Sequence, residues 1–305
     1  MKKVAVIDLG SNTFHLLIAT LISPHEFEIE YKEAHFVKLA SEGIEKIGET
    51  PFRKGIEIMN LFAKKCRDYC VSQIEAIGTE ALRRAENAPQ FLQEVFDQTG
   101  INVQIISGDD EAKLIAKGVG LAIPFLEEKV LIMDVGGGSV EFILSEKGNT
   151  IWAKSFPVGI AILYRYFHKS EPISPVEIHQ LRGFLETSLS PLLDILKIYP
   201  AKHLVGASGT FDVLEDFLSE VSIKNKFAST VEVFQVLPLM KEIVHKSIHE
   251  RKQYKQIPDT RVEMIVAALI LIEYILIAGN FSRLTFSSYA MKEGILQNMM
   301  DDVSD

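Results

Sequence analysis

Apolar residues recur along this chain in two rhythms, one of short Val- and Ile-rich runs and one of longer stretches spaced at three and four. Residues 3–8 and 13–21 are runs of the first kind, and Gly10, Ser11 and Asn12 between them predict an opening β-hairpin. Residues 27–37 predict a further strand. Residues 51–71 carry Ile56, Met59, Leu61, Phe62, Cys66 and Tyr69 at helical spacing and predict a long amphipathic helix. A brief strand at 75–78 precedes a helix over 87–99, with Asn87 as its cap, Pro89 in its first turn and Gly100 past its end. An extended stretch at 103–107, a helix from Asp109 to Leu121, an interruption at Pro124 and a strand at 130–134 follow. Helical patterns then cover 161–166, 176–196 and 233–252, with a uniformly apolar helix at 262–278, a last strand at 283–286 and a terminal helix at 290–300.

The opening pattern returns. Residues 4–10 read VAVIDLG and residues 130–136 read VLIMDVG, each followed by a small polar loop and another apolar strand (14–19 and 142–144), with Asp134 standing 126 residues after Asp8. A repeat of that length is the size of a domain rather than of a solenoid unit. It predicts two related α/β lobes that divide between residues 120 and 128, each contributing one Asp-bearing turn.

Composition narrows what such lobes can do. The chain has 305 residues, 47% of them hydrophobic, which is ordinary globular usage and enough for a sizeable core. A formal net charge of −9 argues against coating nucleic acid or an anionic membrane, so a polyanion has to be met by a local site. Cys66 and Cys70 are too few and too close for a disulfide framework; both read as packing residues in a reducing compartment. Asp8 breaks the first apolar run too early for a signal peptide. Glu263 and Glu273 interrupt the most apolar helix, which therefore reads as buried rather than membrane-spanning.

The candidate chemistry sits in loops. In Asp134-Val135-Gly136-Gly137-Gly138-Ser139-Val140-Glu141, three glycines remove every Cβ from a turn, so that N–H groups can close on phosphate oxygens with a carboxylate at each end. Composition alone equally allows a Gly-rich hairpin with two solvated acids. Gly206-Ala207-Ser208-Gly209-Thr210, between an apolar strand and a helix, is a second layout in which backbone amides meet an anion. Asp109, Asp110 and Glu111 occupy a first helical turn after Ser107, where they serve helix initiation or, beside a bound phosphate, activation of a water. Arg83 and Arg84 supply paired cations whose planar donors suit phosphate. His245 and His249 share an i, i+4 spacing but lack the intervening Glu of a zinc-protease helix, and they read as surface residues.

Taken in order, AVIDLGSNTFHLLIA (5–19), GTEALRRAEN (78–87), ISGDDEAKLI (106–115), DVGGGSVEF (134–142), SFPVG (155–159), GASGT (206–210), IPDTR (257–261) and KEGIL (292–296) resemble the exopolyphosphatase and guanosine pentaphosphate phosphatase family of the actin, sugar kinase and heat-shock chaperone superfamily. That resemblance implies an α/β fold of two ribonuclease-H-like (actin-like ATPase) lobes with an interdomain cleft, lobe I comprising 1–122 with 287–305 and lobe II 123–286. It implies that Glu111 is the catalytic base, and that Asp134 and Glu141 are active-site carboxylates holding Mg2+. Asp8, Gly10, Ser11 and Asn12 would form the first phosphate loop, Gly136, Gly137, Gly138 and Ser139 the second, and Gly206, Ser208, Gly209 and Thr210 a third, with Arg83 as the phosphate-holding cation. The implied activity is cytoplasmic, Mg2+-dependent removal of the terminal phosphate of inorganic polyphosphate, with a homodimer among the expected assemblies and neither nucleic acid nor membrane as partner. Guanosine pentaphosphate phosphatase, an ATP-dependent kinase and a non-catalytic polyphosphate or alarmone sensor are the alternatives.

The chain departs from the family pattern at three places. Asp109 and Asp110 replace longer acids, Val140 replaces a Thr beside Ser139, and Tyr289-Ala290-Met291-Lys292 replaces a Gly-Leu-Arg run. Its end at Asp305 implies no additional C-terminal domain of the kind longer members carry.

Overall fold

The structure is a computed structural model that describes residues 2–23, 26–123, 128–224 and 226–301. The chain divides into two compact units, one running to Gly118 and resuming at Met291, the other spanning Val119–Ala290.

The first unit opens with β1 (Lys2–Leu9), β2 (Thr13–Ser23) and β3 (Glu26–Phe36). It continues through α1 (Glu49–Asp68), β4 (Gln73–Gly78), α2 (Glu80–Arg84), α3 (Ala88–Thr99), β5 (Val103–Ile105) and the start of α4 (Gly108–Ala122). Its sheet has the order β3-β2-β1-β4-β5. The first three strands are antiparallel, whereas β4 and β5 run parallel to β1. The core forms where the inner faces of β1 and β2 meet α1 and α3, with Phe14, Phe62 and Phe91 fully buried.

The second unit holds β6 (Lys129–Val135), β7 (Val140–Glu146), β8 (Asn149–Phe156), α5 (Ile160–Phe167), α6 (Pro175–Ser188), α7 (Ser190–Ile198) and β9 (His203–Ala207). There follow α8 (Gly209–Phe217), β10 (Ile223–Lys224), β11 (Ala228–Glu232), α9 (Val233–Val244), α10 (Ile248–Arg251), α11 (Ile265–Ala278) and β12 (Arg283–Ser287). Its sheet reads β10-β11-β12-β9-β6-β7-β8. The run β8-β7-β6-β9-β12 has the same order and strand directions as the five strands of the first unit. This is the ribonuclease-H-like arrangement, and the repeated Asp-bearing strands β1 and β6 occupy the same central position in both sheets. The strongly apolar α11 is buried from Ile265 to Ile272 and again at Ile275 and Leu276, as its near-lack of a polar face requires. No described helix is long and apolar enough to cross a membrane.

The terminal helix α12 (Met291–Asp301) belongs to the first unit. Lys32 on β3 pairs with its buried Glu293 at 3.2 Å, which brings the start of α12 to the sheet. Because β12 continues to Ser287 and pairs there with Ala207 and Ala228, the second unit reaches beyond residue 286.

Several local expectations change. The helix expected over 176–196 is broken at Leu189, whose N–H closes α6 on Leu185 and whose carbonyl starts α7, where Pro191 supplies no donor. The helix expected over 233–252 is likewise two, because Ser247 and Glu250 form a reciprocal capping box that starts α10. His245 therefore caps α9 while His249 lies on α10, both exposed, and they do not share a helix face. Asn87 does not cap α3 through its side chain; its amide bonds the N–H and carbonyl of Ile47 at 2.8 and 2.9 Å. Cys66 is a buried packing residue as expected, but Cys70 is exposed, just past α1 at φ 57°. Strands β8, β10 and β11 and the five-residue α2 have no counterpart in the sequence expectations, and Pro124 lies outside the described residues.

Candidate active site

The two Asp-bearing turns are built alike. Gly10 N–H donates to Thr13 O and Gly136 N–H to Ser139 O, both at 3.0 Å, closing each hairpin. In the second unit, the N–H groups of Gly159, Ile160 and Ala161 at the start of α5 donate to the carbonyls of Gly138, Gly136 and Gly137 at 3.2, 3.0 and 2.9 Å. In a trans peptide the N–H points opposite to the preceding C=O. The N–H groups of Gly137, Gly138 and Ser139 are therefore aimed away from α5, side by side. In the first unit, Val37 and Lys38 donate to Asn12 O, both at 2.9 Å, and Ala40 to Ser11 O at 3.4 Å. The N–H groups of Asn12 and Thr13 are thereby turned away from the 37–40 segment. Each turn presents successive amides as an anion cradle, the chemistry a phosphate chain requires.

Asp134 and Glu141 stand directly opposite one another across β6 and β7. Glu141 is buried and accepts a hydrogen bond from Ser155 Oγ at 2.7 Å, while Asp134 is half-buried. The pair places two hard oxygen donors at the foot of the Gly-rich turn. Among the described residues no cluster of three or more His, Cys, Asp or Glu side chains forms a closed metal cage.

The three acids that open α4 separate by face. Asp109 is exposed; Asp110 is exposed and tied to Ser107 Oγ at 2.7 Å and Lys113 Nζ at 2.9 Å. Ser107 Oγ accepts the Asp110 N–H at 3.1 Å, so this part of the motif does initiate the helix. Glu111 alone is buried, where its Oε2 accepts from Arg83 Nη1 at 2.8 Å. Arg83 also reaches Ile106 O and Glu80, whereas Arg84 is exposed. Burial disfavours the Arg83 charge, but Glu111 and Glu80 outweigh it and hold the guanidinium above its ordinary pKa. Ala81 N–H donates to Ser11 Oγ at 3.1 Å, which binds α2, and with it Arg83, to the first Asp-bearing turn.

Asp8 ends the polar side of β1, half-buried, opposite His15 on β2. Burial pushes its carboxyl up to about 6, with Lys292 opposing the shift and Glu293 adding to it. A carboxyl raised in the folded state costs stability as pH rises through the interval between its unfolded and folded values. Asp8→Asn removes that cost, so the variant is expected to gain ~2 kcal/mol over the parent at pH 7.5 and nothing at pH 3.5. Urea unfolding at the two pH values measures it; an equal difference between variant and parent at both would show that Asp8 carries no such cost.

The third loop joins β9 to α8, the strand-to-helix layout expected of it. Ser208 adopts φ 92°, a strained value for a residue with a side chain, and its Oγ bridges the Val135 N–H and carbonyl at 3.3 and 3.2 Å. Its hydroxyl thus fastens the end of β9 to the end of β6. Thr210 is buried in the first turn of α8, and Gly206 packs beneath the Phe211 ring. Arg261 was given no role by the sequence reasoning, yet its guanidinium lies against Gly209, where a Cβ would stand. Burial holds Arg261 below its ordinary pKa, with Asp212 opposing. The only sequence signal for it is the final Arg of IPDTR.

The sequence model of the Ppx/GppA phosphatase family matches residues 23–303. The chain belongs to that family. A Haemophilus influenzae protein described provisionally as an exopolyphosphatase is 25% identical, covering 98% of this chain and 92% of its own. The crystal structure of an exopolyphosphatase from Cytophaga hutchinsonii superposes with a TM-score of 0.93 at 30% identity, covering 99% of this chain and 98% of that one. The Aquifex aeolicus Ppx/GppA member gives a TM-score of 0.83 at 25% identity, covering 100% and 99%. Ppx/GppA membership makes this chain a phosphoanhydride hydrolase by class, on the α/β two-lobe fold expected of it.

Proposed function

We propose that this chain is a Mg2+-dependent exopolyphosphatase, hydrolysing the terminal phosphoanhydride of inorganic polyphosphate with Glu111 as the base that takes a proton from the attacking water. The observation that carries the reading is the fate of the three acids at the start of α4: Glu111 alone is buried and bonded to Arg83. A carboxylate so held is screened from bulk water and fixed in orientation, as general-base work needs. Within the first unit Arg83 and the outward amides of Asn12 and Thr13 would hold phosphate oxygens and stabilise the charge that gathers on the transferred phosphoryl group, and within the second the outward amides of Gly137, Gly138 and Ser139 offer the same chemistry. Arg261 would add a second guanidinium beside Gly209.

Asp134 and Glu141 fit Mg2+, which is characteristically held by one or two carboxylates while water and substrate phosphates fill its remaining positions. When bound, the ion would neutralise phosphate charge and polarise the phosphoryl oxygens. Ser155 keeps the Glu141 carboxylate in place for that task. Polyphosphate is favoured as substrate because the Haemophilus and Cytophaga relatives are described as exopolyphosphatases.

The test is phosphate release by the purified protein from long polyphosphate and from guanosine pentaphosphate, each with Mg2+ and with chelator. Chelator-sensitive release with the higher kcat/KM on polyphosphate is expected. A higher kcat/KM on guanosine pentaphosphate would reassign the substrate, and tight binding without release from either would make the protein a sensor. ATP consumption only in the presence of a phosphoryl acceptor would make it a kinase.

A further inference from the structure

The donors of Arg83 are unequally committed. Nε donates to Glu80 Oε2 at 3.0 Å, and Nη1 donates to both Glu111 Oε2 at 2.8 Å and Ile106 O at 2.9 Å. Nη2 is buried and makes no hydrogen bond, although it lies 2.9 Å from Glu80 Oε2. All three side chains are largely withdrawn from water, with exposures of 16% for Arg83, 13% for Glu80 and 10% for Glu111. In so dry a setting an unconstrained guanidinium closes on a carboxylate as a two-pronged fork, the strongest arrangement open to the pair. Here it does not: the Nε edge is held by Glu80, one turn earlier on α2, and Arg83 meets Glu111 through Nη1 alone.

We propose that Glu80 is a positioning residue for the hydrolysis: by holding the Nε edge of Arg83 it prevents a forked grip on Glu111 and leaves the Nη2 N–H that points away from Glu80 for a phosphate oxygen. The inference rests on the roles given to Glu111 and Arg83 above. Were Glu80 absent, Arg83 would turn its Nη edge onto Glu111. The base would then be locked by two charge-assisted bonds, and the phosphate would lose its cation at the step where charge moves. That loss falls on turnover more than on substrate capture, since the loop amides are unaffected.

The experiment compares Glu80→Ala, Glu80→Gln and Glu80→Asp with Glu111→Gln and the parent, measuring kcat and KM for phosphate release from polyphosphate and the thermal midpoint of each. Glu80→Ala is expected to lower kcat about tenfold with KM within about twofold. Glu80→Gln keeps an oxygen acceptor at the same reach and is expected to restore kcat to within about threefold of the parent. Glu80→Asp, one methylene shorter, falls between them and serves if the Ala variant does not fold. A Glu80→Ala protein that melts lower but turns over normally would reduce Glu80 to a structural ion pair and overturn the proposal, as would Glu80→Gln no better than Ala. Loss of turnover in Glu111→Gln with no effect at Glu80 overturns this inference alone, whereas normal turnover in Glu111→Gln overturns the base assignment and this inference with it.

Discussion

Replacing Glu111 with Gln is expected to lower kcat for phosphate release about a thousandfold, within the range that a positioned general base contributes, while polyphosphate binding stays within a few-fold of the parent. Gln fills the same volume and presents an amide oxygen where Oε2 accepts from Arg83 Nη1, so the guanidinium is not left with an unpaired buried donor. The fold should therefore survive and the loss should appear in chemistry. The neighbouring acids provide the contrast. Asp110 is exposed and spends its carboxylate on Ser107 and Lys113, so Asp110→Asn is expected to keep kcat within about twofold. Single-turnover phosphate release and equilibrium binding on the three proteins check both statements. A Glu111→Gln enzyme slowed less than tenfold, or an Asp110→Asn enzyme slowed as much as Glu111→Gln, would move the base away from Glu111.

That contrast was only partly legible in the sequence. Three consecutive acids after Ser107 announce a helix start, but which of them faces inward depends on the 100° advance per residue and on what packs against α4. The answer is set by Arg83, 28 residues earlier in the chain, and local pattern does not carry it. The two-unit plan was legible because its signal is a repeated string: VAVIDLG and VLIMDVG place Asp8 and Asp134 on equivalent central strands with equivalent hairpin closures. Strand β8 escaped notice because much of it is exposed and its alternation is weak, and α2 because five residues are too few to show a period. The breaks at Leu189 and Ser247 were written in Pro191 and in the Ser247–Glu250 pair, but continuous apolar periodicity on either side masked them. Arg261 is the clearest case of a non-local feature, since it meets Gly209 across 52 residues and only the folded chain brings them together.

Gly159→Ala is expected to be the most damaging small substitution in the second unit. At φ −64° Gly159 occupies backbone space open to any residue, so the need for glycine there comes from its surroundings. A Cβ at this position would fall inside the backbone of Gly137 and Gly138, which has no side-chain end that can swing aside. The loop has to retreat, and it is held by the three bonds from Gly159, Ile160 and Ala161 that aim the opposite amides outward. Overpacking of this kind costs ~2–3 kcal/mol of stability, and displacing a phosphate cradle by ~1 Å costs roughly a hundredfold in kcat/KM. Gly100→Ala is the matched control: φ is +72° with nothing within 4 Å, so it strains the backbone alone and costs ~1 kcal/mol. Gly100 also lies at the end of α3, away from the site residues of its unit, so its kcat/KM should be unchanged. Urea midpoints and kcat/KM on polyphosphate for both variants separate the two mechanisms. If Gly159→Ala lost stability as Gly100→Ala does but kept full kcat/KM, the amides of the Gly137–Ser139 turn would not be what holds the phosphate, and the anion would have to be met by the amides of the first turn and the guanidinium groups.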